Sequence, residues 1–291
     1  MNAPFPLVSV VILNYYQSNL VERLLKNLEK QNYKNIKIII VDNSVEVSER
    51  SKLEKLKSMY GFDLIFNEEN IGYAKGNNVG LDLAYRIGAK YALVLNPDVE
   101  ISEQFFVNKF VQFMENHKEY AMIGPKVFDS SGNLVRIYFH DENSFWRLLT
   151  GNIFDILFFK LKKKKFIDRS SGFIDVFRIY GCCMFLNLEV FKKIGFFDEQ
   201  TFLYEEENII AEKLKKSGYK IAYLFNVSVV HKHNSFDIKK CMRTLEIAKQ
   251  SKIYLLTRYK RYNKIIASLV VNVWKLNRII VCFFKKYRVK F

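Results

Sequence analysis

The hydrophobic positions fall into short runs separated by segments of helical spacing. Val8–Leu13 is a β-branched apolar run that ends at Asn14. Leu20, Val21, Leu24, Leu25 and Leu28 then repeat at the interval of one helix face. Ile36–Val41 is a second run, closed by Asp42 and Asn43, and a polar, helix-favouring stretch continues to Met59. Asp63–Phe66 reads as a short strand closed by Asn67, and Lys75–Arg86 as a helix. Tyr91–Leu95 reads as a strand closed by Asn96, Pro97 and Asp98, and Phe105–Met114 as a helix. Strands this apolar must be covered on both sides, and their alternation with helices predicts βαβ units. The fold class expected is therefore α/β, a mostly parallel central sheet with helices on both faces.

The second half of the chain is less uniform. Residues 120–180 show no steady period, and Phe145–Phe166 mixes aromatics and aliphatics with Lys160, Lys162, Lys163, Lys164 and Lys165. Gly181–Val190 resumes an apolar pattern. Glu205–Lys216 predicts a helix with Ile209, Ile210 and Leu214 as its buried stripe and Gly218 just past its end. Ile221–Val230 predicts a strand, closed by His231. From Phe236 onward the pattern is helical, aromatic and basic. This divides the chain into a sheet domain over residues 1–235 and a basic helical extension over residues 236–291.

One regularity carries chemistry. Each early strand is apolar until its C-terminal end and there turns to Asn or Asp. In open α/β sheets ligands sit beyond those ends, so Asn14, Asp42, Asn67 and the Asn96–Asp98 segment are expected to share one crevice. A carboxylate such as Asp98 at the mouth of a parallel sheet suits a hard divalent cation with places left for phosphate oxygens. Asn70 through Asn78 contains Gly72, Lys75 and Gly76 and opens a helix, a setting that favours anions without being a Walker or dinucleotide loop. Glu205, Glu206 and Glu207 form an acidic triplet at a helix start. Acids are stabilising there, and repulsion among neighbours raises a carboxyl pKa toward the range of a general base. His231 and His233 follow a buried strand.

Charge refines the picture. Residues 1–120 hold 14 Lys/Arg against 15 Asp/Glu, and the other 171 hold 32 against 15, so the basic excess behind the net charge of +16 lies entirely beyond residue 120. Such sorting predicts a surface that meets phosphates, on nucleic acid or on anionic lipid. No nucleic-acid-binding module is visible, and no nucleic-acid partner is expected. The extension alternates apolar residues with Lys275 and Arg278 in the manner of helices lying on an anionic membrane rather than crossing it. Met1–Pro6 has no signal-peptide character, and the four cysteines show no metal spacing.

Taken in order, several segments resemble the family 2 inverting glycosyltransferases, and among them the rhamnosyltransferase-like branch. They are Val8-Ser9-Val10-Val11-Ile12-Leu13-Asn14-Tyr15, Val41-Asp42-Asn43-Ser44, Asn70-Ile71-Gly72 with Gly76-Asn77-Asn78, and Leu95-Asn96-Pro97-Asp98. Gly181-Cys182-Cys183-Met184, Ile194-Gly195-Phe196-Phe197-Asp198-Glu199, Phe202-Leu203-Tyr204-Glu205-Glu206-Glu207, Gly218-Tyr219 and Val230-His231 complete the series. The resemblance covers about residues 7–235. It implies a GT-A fold and a single in-line displacement. A sugar moves from a nucleotide-diphosphate donor, dTDP-rhamnose or a UDP-sugar, to a hydroxyl of a glycan or lipid-linked acceptor in cell-surface polysaccharide synthesis.

By this resemblance Asn96-Pro97-Asp98 stands where the family has Asp-x-Asp, with Asn96 in place of the first acid. Asp98 and His231 would then hold Mg²⁺ or Mn²⁺, and Asp42 would meet the nucleobase. Asn14, Asn70, Gly72, Lys75, Asn78, Asn96 and Gly181 would line the nucleotide sugar. The general base falls on Glu207, eleven residues before Gly218, with Glu206 as its rival. The implied location is cytoplasmic, peripheral on the inner face of a membrane. A non-catalytic sugar-nucleotide-binding relative and a basic nucleic-acid-binding protein are the alternative readings.

Overall fold

The computed structural model describes residues 5–143, 148–149, 170–232 and 238–288. The lysine run at 160–165, nearly all of the Phe145–Phe166 segment, His233 and the expected boundary at 235/236 lie outside the described residues.

The strands are β1 (Val8–Asn14), β2 (Ile36–Asp42), β3 (Asp63–Phe66), β4 (Tyr91–Leu95), β5 (Val99–Glu100), β6 (Tyr120–Asp129), β7 (Phe173–Asp175), β8 (Cys183–Asn187) and β9 (Lys220–His231). The helices are α1 (Ser18–Glu29), α2 (Val47–Tyr60), α3 (Tyr73–Arg86), α4 (Phe106–Asn116), α5 (Leu188–Lys193), α6 (Glu206–Lys216), α7 (Ile238–Tyr254) and α8 (Lys264–Arg288). One π-helical turn, Leu255–Tyr259, follows α7. The strands form one sheet in the order β3-β2-β1-β4-β8-β6-β9-β5, with β7 paired to β9.

The expected parallel character holds over β3-β2-β1-β4, where α1, α2 and α3 are the crossovers. Beyond β4 the sheet is mixed. β8 runs antiparallel to both β4 and β6, and β9 runs parallel to β6. The β4–β8 pairing joins Leu95 to Cys183, far apart in sequence, and no local period encodes it. β6 fell in the region without a steady pattern because Gly124, Pro125 and Lys126 interrupt its apolar run. Its register with β9 shifts at that point.

Two cores sit on the two faces of the sheet, and strand alternation sorts residues between them. Val8, Val10 and Ile12 of β1, with Tyr91, Leu93 and Leu95 of β4, pack under α1 and α4 beside Leu24, Phe106 and Phe110. Val11, Ile39, Val41, Ala92 and Val94 point the other way, onto Ala74, Leu81 and Ala84 of α3 and Ile210 and Leu214 of α6. The pairing register brings Asn14 beside Asp42 and Asp42 beside Phe66, so the carboxyl ends of β1, β2 and β3 finish level. Cys182 and Cys183 are buried free thiols, and burial holds both well above the ordinary thiol range.

The C-terminal helices are fastened to the sheet domain by polar contacts. Lys252 of α7 pairs with Glu205 and donates to Asn143 Oδ1 at 2.7 Å, and Ser251 Oγ donates to the Leu203 carbonyl at 2.8 Å. Tyr254 and Tyr259 both donate to Asp198, and Lys260 bridges Asp141 and Glu212. α8 closes a third small core, in which Ala267, Val270 and Val271 meet Leu148 and Leu256. No helix among the described residues is long and apolar enough to cross a membrane.

Candidate active site

The strand ends build the first corner. Asn14 Nδ2 donates to Asp42 Oδ1 at 2.8 Å, and the Ser44 backbone N–H donates to the same oxygen at 3.0 Å. Asp42 is fully buried, and its Oδ2 has no hydrogen-bond partner among the described residues. Glu49 supports the corner from below. It accepts from the Ser18 N–H at 2.7 Å, from Ser18 Oγ at 2.9 Å and from Asn14 Nδ2 at 3.3 Å.

Asn43 is the hub of the neighbouring loop. Its Nδ2 donates to Asn70 Oδ1 and to the Gly72 carbonyl, both at 3.1 Å, and its Oδ1 accepts from Asn67 Nδ2 at 2.8 Å. Asn70 Oδ1 also accepts from the Gly72 N–H at 3.0 Å, so the side chain of Asn70 shapes this loop. Gly72 caps α3 at φ 87°, and a Cβ there would lie 2.5 Å from the Phe202 carbonyl oxygen. Only glycine fits, because the 202 segment crosses directly over the helix start and its carbonyl accepts from the Tyr73 N–H at 2.8 Å. Lys75 is exposed on the first turn of α3. Asn78, expected at the nucleotide, is engaged at both ends of its amide. It donates to the Phe197 carbonyl and Glu199 and accepts from the Phe197 N–H, all at 3.0 Å, which ties α3 to the loop after α5.

The second corner pairs Asp98 with His231. β5 runs antiparallel to the end of β9, with Val99 opposite His231, so the two side chains meet although 133 positions separate them. Nε2 lies 3.0 Å from Asp98 Oδ1, yet the two atoms are not aligned as donor and acceptor. The imidazole is held edge-on to the Tyr180 ring at 5.7 Å between centroids. Two ligands at a right angle on one cation, each at about 2.1 Å, would stand about 3.0 Å apart. The pair therefore fits a divalent metal. Among the described residues no three His, Cys, Asp or Glu side chains converge as a cage. The rest of such a shell would come from phosphate and water, which hard cations favour.

The acidic triplet forms the third corner. Tyr204 and Glu205 both have left-handed backbone, φ 74° and 72°, which turns the chain sharply into α6. Glu205 points back to Lys252 at 2.7 Å and accepts from Asn208 Nδ2 at 2.7 Å. Glu206 is 4% exposed, and its Oε1 has no hydrogen-bond partner among the described residues. Burial first, then the adjacent Glu207, raises its carboxyl well above the ordinary range. Glu207 is half-buried and lies against Gly181, where a Cβ would come within 2.2 Å of its Oε1.

Tyr73 links the second and third corners. Its hydroxyl donates to the Gly181 carbonyl at 2.9 Å and reaches Asn96 Oδ1 at 3.5 Å. Burial, then Glu207 and Glu206, hold its phenol well above the ordinary value, so it stays a donor. The Asn96 N–H donates to the Cys182 carbonyl at 2.9 Å, which fixes the Asn96–Asp98 turn to the start of β8. Asn43, Glu49, Tyr73, Asp198 and Lys252 were not singled out by sequence reasoning as site residues. Asn43 stood at the end of β2, Tyr73 and Asp198 lay inside segments that carried the family resemblance, and Glu49 and Lys252 carried no signal.

Comparison with known proteins agrees with this architecture. The family model described as glycosyl transferase family 2 matches residues 9–195. A low-salt glycan biosynthesis hexosyltransferase of Haloferax volcanii is 25% identical over 77% of the chain and 66% of its own length. An N-acetylglucosaminyl-diphospho-decaprenol L-rhamnosyltransferase of Mycobacterium tuberculosis is 19% identical, covering 76% of the chain and 75% of the relative. Among solved structures, a mannosyltransferase of Pyrobaculum calidifontis in complex with GDP-mannose and Mn²⁺ superposes with a TM-score of 0.62. It is 14% identical and spans 97% of this chain and 75% of that one. The match thus spans just under two thirds of the Haloferax relative. The sheet order and the α/β layers are those of the GT-A fold, and the chain belongs to glycosyl transferase family 2.

Proposed function

We propose that the protein is an inverting glycosyltransferase that moves a sugar from a nucleoside-diphosphate donor to a hydroxyl of a glycan or lipid-linked acceptor. The observation that carries this reading is the link from Glu207 through Gly181 and Tyr73 to Asn96, beside the Asp98–His231 pair. A base and an anion-binding corner facing one crevice are what in-line sugar transfer requires.

Each group then has a task. Asp42 offers Oδ2 to a base N–H, with Asn14 and Ser44 fixing the other oxygen. Uracil and thymine both carry such an N–H, which keeps UDP- and dTDP-sugars together as candidate donors. Because Asp42 is fully buried, a base reaches it only by parting the side chains above it. Gly72 and Lys75 at the start of α3 face the anionic donor, while Asn70 and Asn78 position the loops around it. Asp98 and His231 would hold Mg²⁺ or Mn²⁺, which when bound offsets the charge of the departing diphosphate.

Glu207 is the base. Burial and then the adjacent Glu207 raise the Glu206 carboxyl well above the ordinary range, whereas Glu207 stands partly open against Gly181. The acceptor oxygen attacks the anomeric carbon as the carbon–phosphate oxygen bond breaks, and its proton passes to Glu207. The Mycobacterium relative is named for a diphospho-decaprenol and the Haloferax relative for glycan biosynthesis, which supports a lipid-linked or glycan acceptor. A rhamnosyl donor gains support from the first of these alone.

The test is a donor panel with purified protein and Mn²⁺ or Mg²⁺, read as nucleotide release. UDP- or dTDP-sugar turnover that Glu207→Gln abolishes is expected. Binding of a donor with full turnover retained in Glu207→Gln would overturn the assignment of the base. Donor binding with no turnover for any acceptor tried would favour a non-catalytic relative.

A further inference from the structure

Among the described residues, one face of α8 is apolar and uncovered. Ile265, Ile266, Leu269, Leu276 and Ile280 are between 45% and 71% exposed. At helical spacing they share an arc of about 100°, with half-buried Val273 inside it. The opposite face is already used, because Ala267, Val270 and Val271 are buried against Leu148 and Leu256. The stripe is therefore not the face that folds the extension.

Charge selects the occupant. α8 carries six Lys/Arg and no acid in 25 residues, and residues 237–291 hold 15 Lys/Arg against Asp237 and Glu246 alone. A second copy docked on the stripe would bring this positive helix against itself, and like charges in close contact repel. Lys264, Lys275 and Arg278 lie on the side of α8 away from the stripe, and Lys275 is paired with Glu246, so an anionic bilayer offers hydrocarbon to the stripe while its field attracts the net positive extension as a whole. We propose that α8 lies flat on an anionic lipid surface, inserting Ile265, Ile266, Leu269, Leu276 and Ile280. This inference stands on the helix face and its charge, independently of the chemistry proposed above. It has a consequence for the crevice, since α7 and the π-helical turn join α8 to Glu205 and Asp198. A docked α8 holds the acidic segment at a set height above the lipid headgroups.

The experiment is flotation of the full-length protein with phosphatidylcholine vesicles, with and without phosphatidylglycerol. Binding to the anionic vesicles that weakens as salt is raised is expected. Leu269→Gln/Leu276→Gln should lower partitioning about tenfold or more, with Tm and size-exclusion mass unchanged. If the double variant unfolds, Ile265→Gln at the most exposed of the five positions carries the same expectation, at about threefold. Wild-type protein that stays unbound to anionic vesicles overturns the proposal, as does equal binding by wild type and variants. So does a wild-type dimer that the double substitution converts to monomer, since a second copy would then cover the stripe.

Discussion

Lys252 Nζ lies 2.7 Å from Glu205 Oε1, with the two side chains only 7% and 9% exposed. The pair joins α7, outside the span matched by the family model, to the residue that precedes the two candidate acids. It also holds Glu205 in left-handed backbone, a conformation a non-glycine residue keeps only when its surroundings fix it. Lys252→Met leaves a buried carboxylate without its cation. A loss of about 3–5 kcal/mol is expected, read as a lower urea midpoint at unchanged slope. Glu205→Gln combined with Lys252→Met should cost less than the sum of the single changes, since the double variant strands no charge. Additive losses would mean that the pair is not coupled.

Glu206 and Glu207 are neighbours with opposite prospects. On the proposed assignment Glu207→Gln removes the proton acceptor, so kcat should fall by about 10²–10⁴ with donor affinity retained. Glu206→Gln keeps the size of a buried side chain whose carboxyl is pushed up by its surroundings and should leave kcat within a few-fold. pH separates them further. The unfolded chain releases the Glu206 proton near the ordinary 4.5, while the folded chain keeps it to a higher pH. The folded state then binds more protons, so wild-type stability falls as pH rises above about 4.5 toward the raised folded pKa. Glu206→Gln escapes this loss. Its Tm should gain on that of the wild type as pH rises from 4 to 7, and a constant difference would show that Glu206 is ionised in the fold.

In the proposed metal site Asp98 and His231 would supply two side chains, and among the described residues no third His, Cys, Asp or Glu converges with them. Metal affinity should therefore depend strongly on the diphosphate. Mn²⁺ binding followed by electron paramagnetic resonance should tighten sharply when UDP or dTDP is added. Asp98→Asn or His231→Gln should raise the Mn²⁺ concentration required by about tenfold or more, and chelation with EDTA should abolish nucleotide release. Unchanged Mn²⁺ binding in both variants would remove the pair from the metal site.

How far these residues could be read in the chain depends on the range of the contacts that place them. Asn14, Asp42 and Asp98 were visible because a buried strand that turns polar at its carboxyl end leaves a local mark. His231 was visible only as the end of a strand, since its meeting with Asp98 depends on β5 pairing with β9. Tyr73 looked like any residue of a helix start, and its bond to the Gly181 carbonyl spans 108 positions. Lys252 was one of the many basic residues of the extension, and composition cannot show that one lysine of a basic helix turns inward to a carboxylate. The parallel half of the sheet follows from βαβ alternation. The mixed half follows from β8 returning beside β4, which no window of local sequence contains.

Gly181 offers a test of geometry without a change of functional group. A Cβ there would stand 2.2 Å from Glu207 Oε1, 2.9 Å from Cδ and 3.2 Å from Cγ. The obstacle is the far end of a flexible side chain, so Gly181→Ala can be met by moving the carboxylate alone. Stability should change by less than about 1 kcal/mol. Because the proposed base is displaced by roughly an ångström, kcat should fall about 10²-fold. Gly72→Ala makes the contrast. Its Cβ meets the Phe202 carbonyl at 2.5 Å from a φ of 87°, so backbone must give way, at a cost of about 1–3 kcal/mol. That variant should lose Tm and donor affinity together. If Gly181→Ala kept full kcat, the position of the Glu207 carboxylate would be immaterial to transfer, and the base would have to be sought elsewhere in the crevice.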